Sequence, residues 1–346
     1  MIRAKHIWND VTSIENCRAA VLDEANTPRC RRRGLSVEMR DDTDRFAREA
    51  SERLADGFRP HPFTEFELYE YGKHRLIQAP DVEDAICHRA VTRIVEPIVY
   101  ARMVPHSYCP VPERGGLRLA RDFRRAARRC EYACKIHNKT HRQPWKAWIL
   151  KSDIRKYFPS ITFNVAMEAM DRIVSDTDFR GYLMACLGMR DGLPIGAGYS
   201  AMVANAILIP LDWQIASRKD VRGYFRYMDD IAVITRSKKA AASVHEEMED
   251  MLSQIGLTTA DKWAKFPFSH HAPEMGGWRI TYDGIYPSTR VERHIRRLLR
   301  GDPARMSKHG KLALASLYGY VKNGNSETLK KLWRKKNADC VFQQEA

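Results

Sequence analysis

The segment that most restricts how this chain can fold is a pair of short apolar runs around an acidic tip. Tyr224-Phe225-Arg226-Tyr227 and Ile231-Ala232-Val233-Ile234-Thr235 flank Met228-Asp229-Asp230. Aromatic and β-branched runs on either side of a turn predict a β-hairpin. Two adjacent aspartates at a turn are commonplace, because Asp suits turns. Here both arms carry residues that bury, so the acidic tip is expected to be held rigidly at the edge of a core. A third carboxylate, Asp153, ends another apolar strand, Trp148-Ile149-Leu150, and Tyr157-Phe158 follow it. If the strands neighbour one another, Asp153 and Asp229 converge and can share two divalent cations. Magnesium fits such a site, since it takes one or two carboxylates plus substrate phosphates. Two ions about 3.5–4 Å apart activate a 3′-hydroxyl and stabilise a leaving pyrophosphate.

Charge points the same way. Lys plus Arg number 58 against 43 Asp plus Glu, a net +15 that calls for a polyanionic partner, usually nucleic acid. With 44% hydrophobic and 29% charged residues the chain is globular rather than disordered. No stretch approaches the roughly eighteen continuous apolar residues of a membrane span. The start of the chain lacks the apolar core of a signal peptide. Eight cysteines at irregular spacing read as free thiols in a reducing compartment, so a cytoplasmic protein is expected.

Along the chain, residues 1–60 are charged and helix-prone. Short strands are expected from Phe63 to Tyr71, then a helix from about Asp81 to Arg102. A second helix, roughly Gly116 to Cys130, carries Arg118, Arg121, Arg124, Arg125, Arg128 and Arg129 beside Leu117, Leu119 and Phe123. Such a run is ordinarily a solvated helix face. Within a strongly basic protein a phosphate-binding face is the better reading, for a structured RNA or an acidic protein. After Asp153 a helix is expected near Thr162, and another from about Ala240 to Ile255, closed by Gly256. The last sixty residues are helical and basic, with Arg293, Arg297, Lys331 and Lys335 among the cations.

Five short segments together resemble the reverse transcriptase family. Tyr227-Met228-Asp229-Asp230 resembles its motif C, and Ser152-Asp153-Ile154-Arg155-Lys156-Tyr157-Phe158-Pro159-Ser160-Ile161 its motif A. Gly192-Leu193-Pro194-Ile195-Gly196-Ala197-Gly198-Tyr199-Ser200 resembles motif B. Lys73 with Arg75-Leu76-Ile77 resembles the fingers segment, and Met275-Gly276-Gly277-Trp278-Arg279-Ile280 the primer grip. Order and spacing agree across residues 60 to 285.

The resemblance implies an α+β right-hand polymerase, its palm an antiparallel sheet with helices on one face. The expected divisions are an N-terminal helical extension over 1–60, fingers over 61–146, a palm over 147–285 and a short helical thumb over 286–346. A fingers insertion falls at about 162–195 of the palm. It also implies roles. Asp153, Asp229 and Asp230 would be catalytic and hold two Mg²⁺ ions, or Mn²⁺, with the Ile154 carbonyl as an added ligand. Lys73 and Arg75 would bind the dNTP triphosphate. Phe158 stands at the steric-gate position, where an aromatic ring excludes a ribose 2′-hydroxyl; as a bland alternative it is core. Lys262, with Lys265 as rival, would protonate the pyrophosphate. Arg118, Arg121, Arg125, Arg293, Arg297, Lys331 and Lys335 would contact template RNA or the RNA–DNA duplex.

Ile195 stands where many members of the family have Gln before the motif B glycine. That resembles the diversity-generating retroelement enzymes, which copy template adenines unfaithfully; losing the amide removes a polar contact at the pairing site. Residues 316–326 also resemble the thumb of that group, but Ala201 departs from it, and defence-associated prokaryotic enzymes carry aliphatic residues at the same place. A retron-type Val-Thr-Gly signature is missing from the C-terminal region, which lowers that reading. The expected partners are a non-coding RNA and an accessory protein or second copy, with no RNase H or endonuclease domain. An RNA-binding scaffold with little synthesis is the alternative, disfavoured because three repelling carboxylates serve a scaffold nothing.

Cys130, Cys134, His137 and His141 invite a zinc reading. On one continuous helix they form a stripe about 16 Å long, too long for one tetrahedral ion, so a turn near Asn138 would be required. Tyr69, Tyr71, Tyr108, Trp145 and Trp148 are expected to be mostly core or interface rather than base-stacking surfaces.

Overall fold

The computed structural model describes residues 3–70, 73–108, 110–140 and 145–342. The charged N-terminal stretch forms α1 (Trp8–Thr12), α2 (Ile14–Ala25), α3 (Pro28–Arg32), α4 (Leu35–Asp41) and α5 (Thr43–Ala55). A hairpin of β1 (Thr64–Glu70) and β2 (Lys73–Ala79) precedes α6 (Val82–Tyr100). Next come β3 (Ser107–Tyr108), α7 (Gly116–Thr140), β4 (Trp148–Asp153), α8 (Tyr157–Ser160), α9 (Phe163–Asp171), α10 (Thr177–Leu187) and α11 (Gly198–Ala216). The expected acidic hairpin is β5 (Val221–Tyr227) and β6 (Asp230–Thr235). Then follow α12 (Lys238–Ser253), β7 (Ala264–Pro267), β8 (Glu274–Met275), β9 (Trp278–Ile280), β10 (Ile285–Pro287), α13 (Thr289–Leu298), α14 (Lys308–Asn323) and α15 (Glu327–Lys335). Helix and antiparallel sheet are mixed throughout, the α+β class expected. Among the described residues no helix is long and apolar enough to cross a membrane.

The chain divides into two compact units, each discontinuous in sequence. The first takes in the chain up to Pro105, Ile154–Gln214 and Glu249–Thr259. Its core forms where α2 and α5 pack on α6, burying Val21, Leu54, Ile86, Val91 and Val95. Asp81 starts α6 by accepting from Asp84 N at 2.7 Å, which satisfies one of the end donors a helix leaves open. Glu24, almost buried, is paired by Arg29 and Arg89. His88 is also buried here, with Nδ1 2.6 Å from the Tyr182 hydroxyl and its ring 4.9 Å from that of Tyr199.

The second unit comprises His106–Asp153, Ile215–Met248 and the chain from Ala260 on. Its centre is a five-stranded sheet in the order β3-β5-β6-β4-β7, antiparallel except for the β3–β5 pair. One face carries Ile149, Phe225, Ala232 and Ile234, and α7 lays Leu119, Phe123, Ala127 and Cys130 on it. That helix runs ten residues past Cys130; Cys134 still packs in the core, and the polar turns after it extend beyond the sheet's apolar face. A smaller sheet, β10-β9-β8, turns back at Gly276 and Gly277, whose φ values of +54° and +81° suit a two-residue reversal. The C-terminal helices close on a core of Val291, Ile295, Leu314, Leu317, Leu329 and Trp333.

Burial pushes His88 down to about 3, with the nearby Arg53 charge adding to the effect. The folded chain therefore refuses a proton that the unfolded chain takes up below about 6.5. Stability should fall as pH drops from about 6.5 towards 3, by up to about 1.4 kcal/mol per unit from this residue. A His88→Gln protein should show a shallower acid slope in urea unfolding; an identical slope would contradict this assignment.

Candidate active site

The acidic hairpin is closed by the Tyr227–Asp230 pair, leaving Met228 and Asp229 as its two turn residues. Met228 lies at φ +57°, a left-handed conformation that costs a non-glycine residue of order 1–3 kcal/mol and clusters at functional sites. Arg226 helps hold it. This arginine, fully buried in β5, donates from one guanidinium nitrogen to the Met228 carbonyl at 3.1 Å, while its backbone N–H donates to His106 O. A charged donor on that carbonyl fixes the turn more firmly than a neutral one would.

β4 lies beside β6, and its register pairs Asp153 directly with Asp230. Opposed residues on antiparallel strands have Cα atoms about 4.5–5.5 Å apart, so the two carboxylates share one patch of surface. The Asp153 carbonyl accepts from Ala260 N at 2.6 Å, which ties down the end of the strand. The three aspartates thus come from the end of β4, the hairpin turn and the start of β6, all in the second unit. Each is half-buried. Ile154, next in the chain, is buried and bridges to Thr259.

Lys151 completes the site. Two residues before Asp153, it emerges on the same face of β4, and its ammonium is ion-paired with Asp230. Burial pushes Lys151 down to about 8, opposed by the Asp153 and Asp229 charges. Three carboxylates on adjacent positions repel one another unless a cation sits among them. The donor set is all carboxylate, without sulfur or imidazole, which suits a hard divalent cation.

Sequence reasoning passed over both Lys151 and Arg226. A lysine in a strand reads as solvated, but its i−2 spacing from a strand-end Asp was the available signal. Arg226, a lone charge among aromatic residues of a buried arm, carried a similar one.

Among the described residues, the three potential ligands whose atoms all lie within 4.8 Å of one another are His61, Asp81 and Asp84, in the first unit. Hydrogen bonding explains them without a metal. Asp81 caps α6, Asp84 takes Arg53 at 2.6 Å and His61 N at 2.7 Å, and the His61 ring bridges both acids.

The remaining predicted residues are distributed as follows. Arg75 is exposed on β2, opposite Leu68, and the side chain of Lys73 lies outside the described residues. Phe158 is half-buried in α8, edge-on to Tyr157 at 5.9 Å, and its carbonyl accepts from Leu193 N at 2.9 Å. Motifs A and B are thereby joined within the first unit. The Ile195 carbonyl accepts from Gln78 N at 2.8 Å, tying motif B to β2. Gly196 sits at φ +125°, where a Cβ would come within 3.0 Å of the Gln78 carbonyl. Lys262 is exposed before β7, and Lys265 on β7 lies 5.0 Å from the Trp263 ring.

Exposed Arg293, Arg297, Lys331 and Lys335 make no ion pair among the described residues, unlike Arg296 with Glu292 and Lys330 with Glu327. Arg118 and Arg125 are held by Asp122, and Arg121 is exposed.

The zinc set is not assembled. His141 lies outside the described residues, and α7 continues through Asn138 without the turn that such a site needs. His137 stacks on Trp145 at 3.3 Å, and Cys130 and Cys134 are buried in the core beneath α7. Of the aromatic residues expected to bury, Tyr108 is buried, Trp145 and Trp148 half-buried, and Tyr69 exposed; Tyr71 lies outside the described residues.

The carboxylates at the end of β4 and on the acidic hairpin stand side by side, a donor set able to hold divalent cations. The chain belongs to the reverse transcriptase (RNA-dependent DNA polymerase) family, whose model matches residues 67–280. Two curated relatives, both from Escherichia coli, are the retron Ec86 and retron Ec73 reverse transcriptases. They are 27% and 28% identical over 33% and 34% of this chain, which spans 37% and 41% of their lengths. The relatives are thus retron enzymes, a group that the missing Val-Thr-Gly had set lower. A solved structure of telomerase from Candida albicans, in complex with a TWJ fragment of telomeric RNA, aligns with a TM-score of 0.45. Its identity is 12%, over 82% of this chain and 55% of that one. The mixed helices and antiparallel sheets agree with the right-hand polymerase fold of the family.

Gly196→Ala should destabilise the first unit by roughly 1–3 kcal/mol through its backbone conformation. Chemical unfolding checks this, and a neutral result would show that the β2–motif B contact relaxes freely.

Proposed function

We propose that this chain is an RNA-directed DNA polymerase that adds deoxynucleotides to a 3′-hydroxyl, using two magnesium ions held by Asp153, Asp229 and Asp230. The observation that supports it most is the pairing of Asp153 with Asp230 beside the Asp229 turn, in a chain of this family. When bound, the ions supply activation of the attacking hydroxyl and neutralisation of the departing pyrophosphate, and manganese can substitute. The Ile154 carbonyl is a further ligand.

The chain's own residues do the rest. Lys73 and Arg75 hold the triphosphate, and the Phe158 ring rejects a 2′-hydroxyl by its bulk. Ile195 and Gly196 shape the place where template and nucleotide pair, with no amide to test the fit. Lys262 delivers a proton to pyrophosphate. Arg293, Arg297, Lys331 and Lys335 grip the RNA–DNA duplex through its phosphates, without reading sequence. Fingers over 61–146, palm over 147–285 and thumb over 286–346 divide these tasks.

The template is a dedicated non-coding RNA, and the setting is antiviral defence or a diversity-generating retroelement, with an accessory protein or a second copy as partner. The compartment is the cytoplasm, in keeping with seven described cysteines that are all unpaired.

The test is to incubate the purified protein and its co-purifying nucleic acid with magnesium and the four dNTPs, and to sequence the product. New DNA should appear, and Asp229→Ala with Asp230→Ala should reduce it by about a thousandfold or more. Substitutions concentrated opposite template adenines would place the enzyme in diversification, and a fixed product in defence. If neither protein made DNA on the bound RNA or on an added primed template, the RNA-binding scaffold would replace this reading. Phe158→Ala should raise ribonucleotide incorporation relative to deoxynucleotide by about 10–200-fold in single-nucleotide addition assays. An unchanged ratio would return Phe158 to the core.

A further inference from the structure

Away from the carboxylates, the second unit has an arginine-lined groove of about 530 Å³ between α7 and the end of α14. Arg121, Arg124, Arg125, Arg128 and Arg129 line its α7 side, and Asn323 and Asn325 the other. Among the described residues no carboxylate lines it. Asp122, on α7 among these arginines, is largely buried and engaged by Arg118 at 2.7 Å, by Arg125 at 3.5 Å and by the Tyr108 hydroxyl at 3.1 Å.

The arginines are in unequal states. Arg124 donates to the carbonyls of Tyr282 and Asp283 at 3.0 and 2.8 Å, fastening α7 to the β9–β10 turn. Arg128 lies 4.9 Å over the Tyr282 ring. Arg121 and Arg129 are exposed and make no hydrogen bond or ion pair among the described residues. One turn further along, Tyr132 is 67% exposed, an aromatic ring with no place in a core.

We infer that this groove is an RNA-binding site separate from the catalytic hairpin, holding the phosphate backbone of a folded RNA. It deepens the proposed function and rests on that reading for the choice of RNA. Uncompensated guanidiniums set along a helix engage phosphate oxygens in pairs and are balanced by them. Arg121 to Arg129 spans about 12 Å of helix, enough for more than one phosphate. An exposed ring beside a basic groove is the usual arrangement for stacking an unpaired base. An acidic protein would be expected to bury an apolar anchor at the centre of its interface, and here the lining offers only Ile285 among polar groups.

The probes are a 20-base-pair RNA hairpin, a DNA duplex of the same sequence and polyglutamate, each titrated at several salt concentrations. The variants are Arg121→Gln/Arg125→Gln/Arg129→Gln and, separately, Asp229→Ala/Asp230→Ala. For the arginine variant the hairpin affinity should fall roughly tenfold to a hundredfold, and the slope of log affinity against log salt should drop by about three. Its thermal unfolding should stay close to wild type, since Arg121 and Arg129 have no partner among the described residues and Asp122 keeps Arg118 and the Tyr108 hydroxyl when Arg125 is replaced. The aspartate variant should hold the hairpin as wild type does, whether or not wild type makes DNA, so failure of the polymerase reading is read separately. Unchanged hairpin affinity and slope in the arginine variant would overturn the inference. So would a loss confined to polyglutamate, or DNA binding as tight as RNA binding and lost in step.

Discussion

Like charges at close quarters are the constraint around which the second unit is organised. Register on adjacent antiparallel strands sets Asp153 opposite Asp230, and the hairpin turn adds Asp229. Such a cluster is unfavourable in water and worse when half-buried, unless a cation relieves it. In the protein alone the Lys151 ammonium does so through its pair with Asp230. The apolar arms of β4, β5 and β6 keep the repelling groups from separating, because Ile149, Phe225, Ala232 and Ile234 are locked beneath α7.

The two flanking cations are not interchangeable. Arg226 is wholly buried and acts on backbone, holding the left-handed Met228 through its carbonyl. Lys151 acts on a side chain and competes for the same carboxylate that a divalent ion would take. A flexible ammonium suits that position, since it can leave without rebuilding a bidentate contact. The motif B loop is fixed quite differently. Leu193 N donates to Phe158 O and Gln78 N to Ile195 O, while the Leu193, Tyr199 and Ser200 side chains are buried and the Tyr199 hydroxyl donates to Cys186 O.

Much of this was legible in the sequence because the decisive elements obey simple periods. The acidic hairpin, the strand ending at Asp153 and the helix capped at Thr162 all follow from local pattern. The length of α7 was not legible at its far end, because Cys134 and the polar residues after it lack the strong apolar spacing of the first turns. Lys151 and Arg226 escaped because each matters through a partner distant in sequence or a carbonyl, which residue identity alone does not reveal. The close set of His61, Asp81 and Asp84 brings together residues up to 23 apart and is a capping network rather than a motif.

The central claim is that Asp153, Asp229 and Asp230 hold the catalytic ions. Anomalous scattering from manganese, in crystals of the protein with a primed RNA template and a non-hydrolysable dNTP, tests it most directly. Density should fall on these three carboxylates, with Lys151 released from Asp230. Manganese bound elsewhere, for example at His61, Asp81 and Asp84, with Lys151 still paired to Asp230, would contradict it.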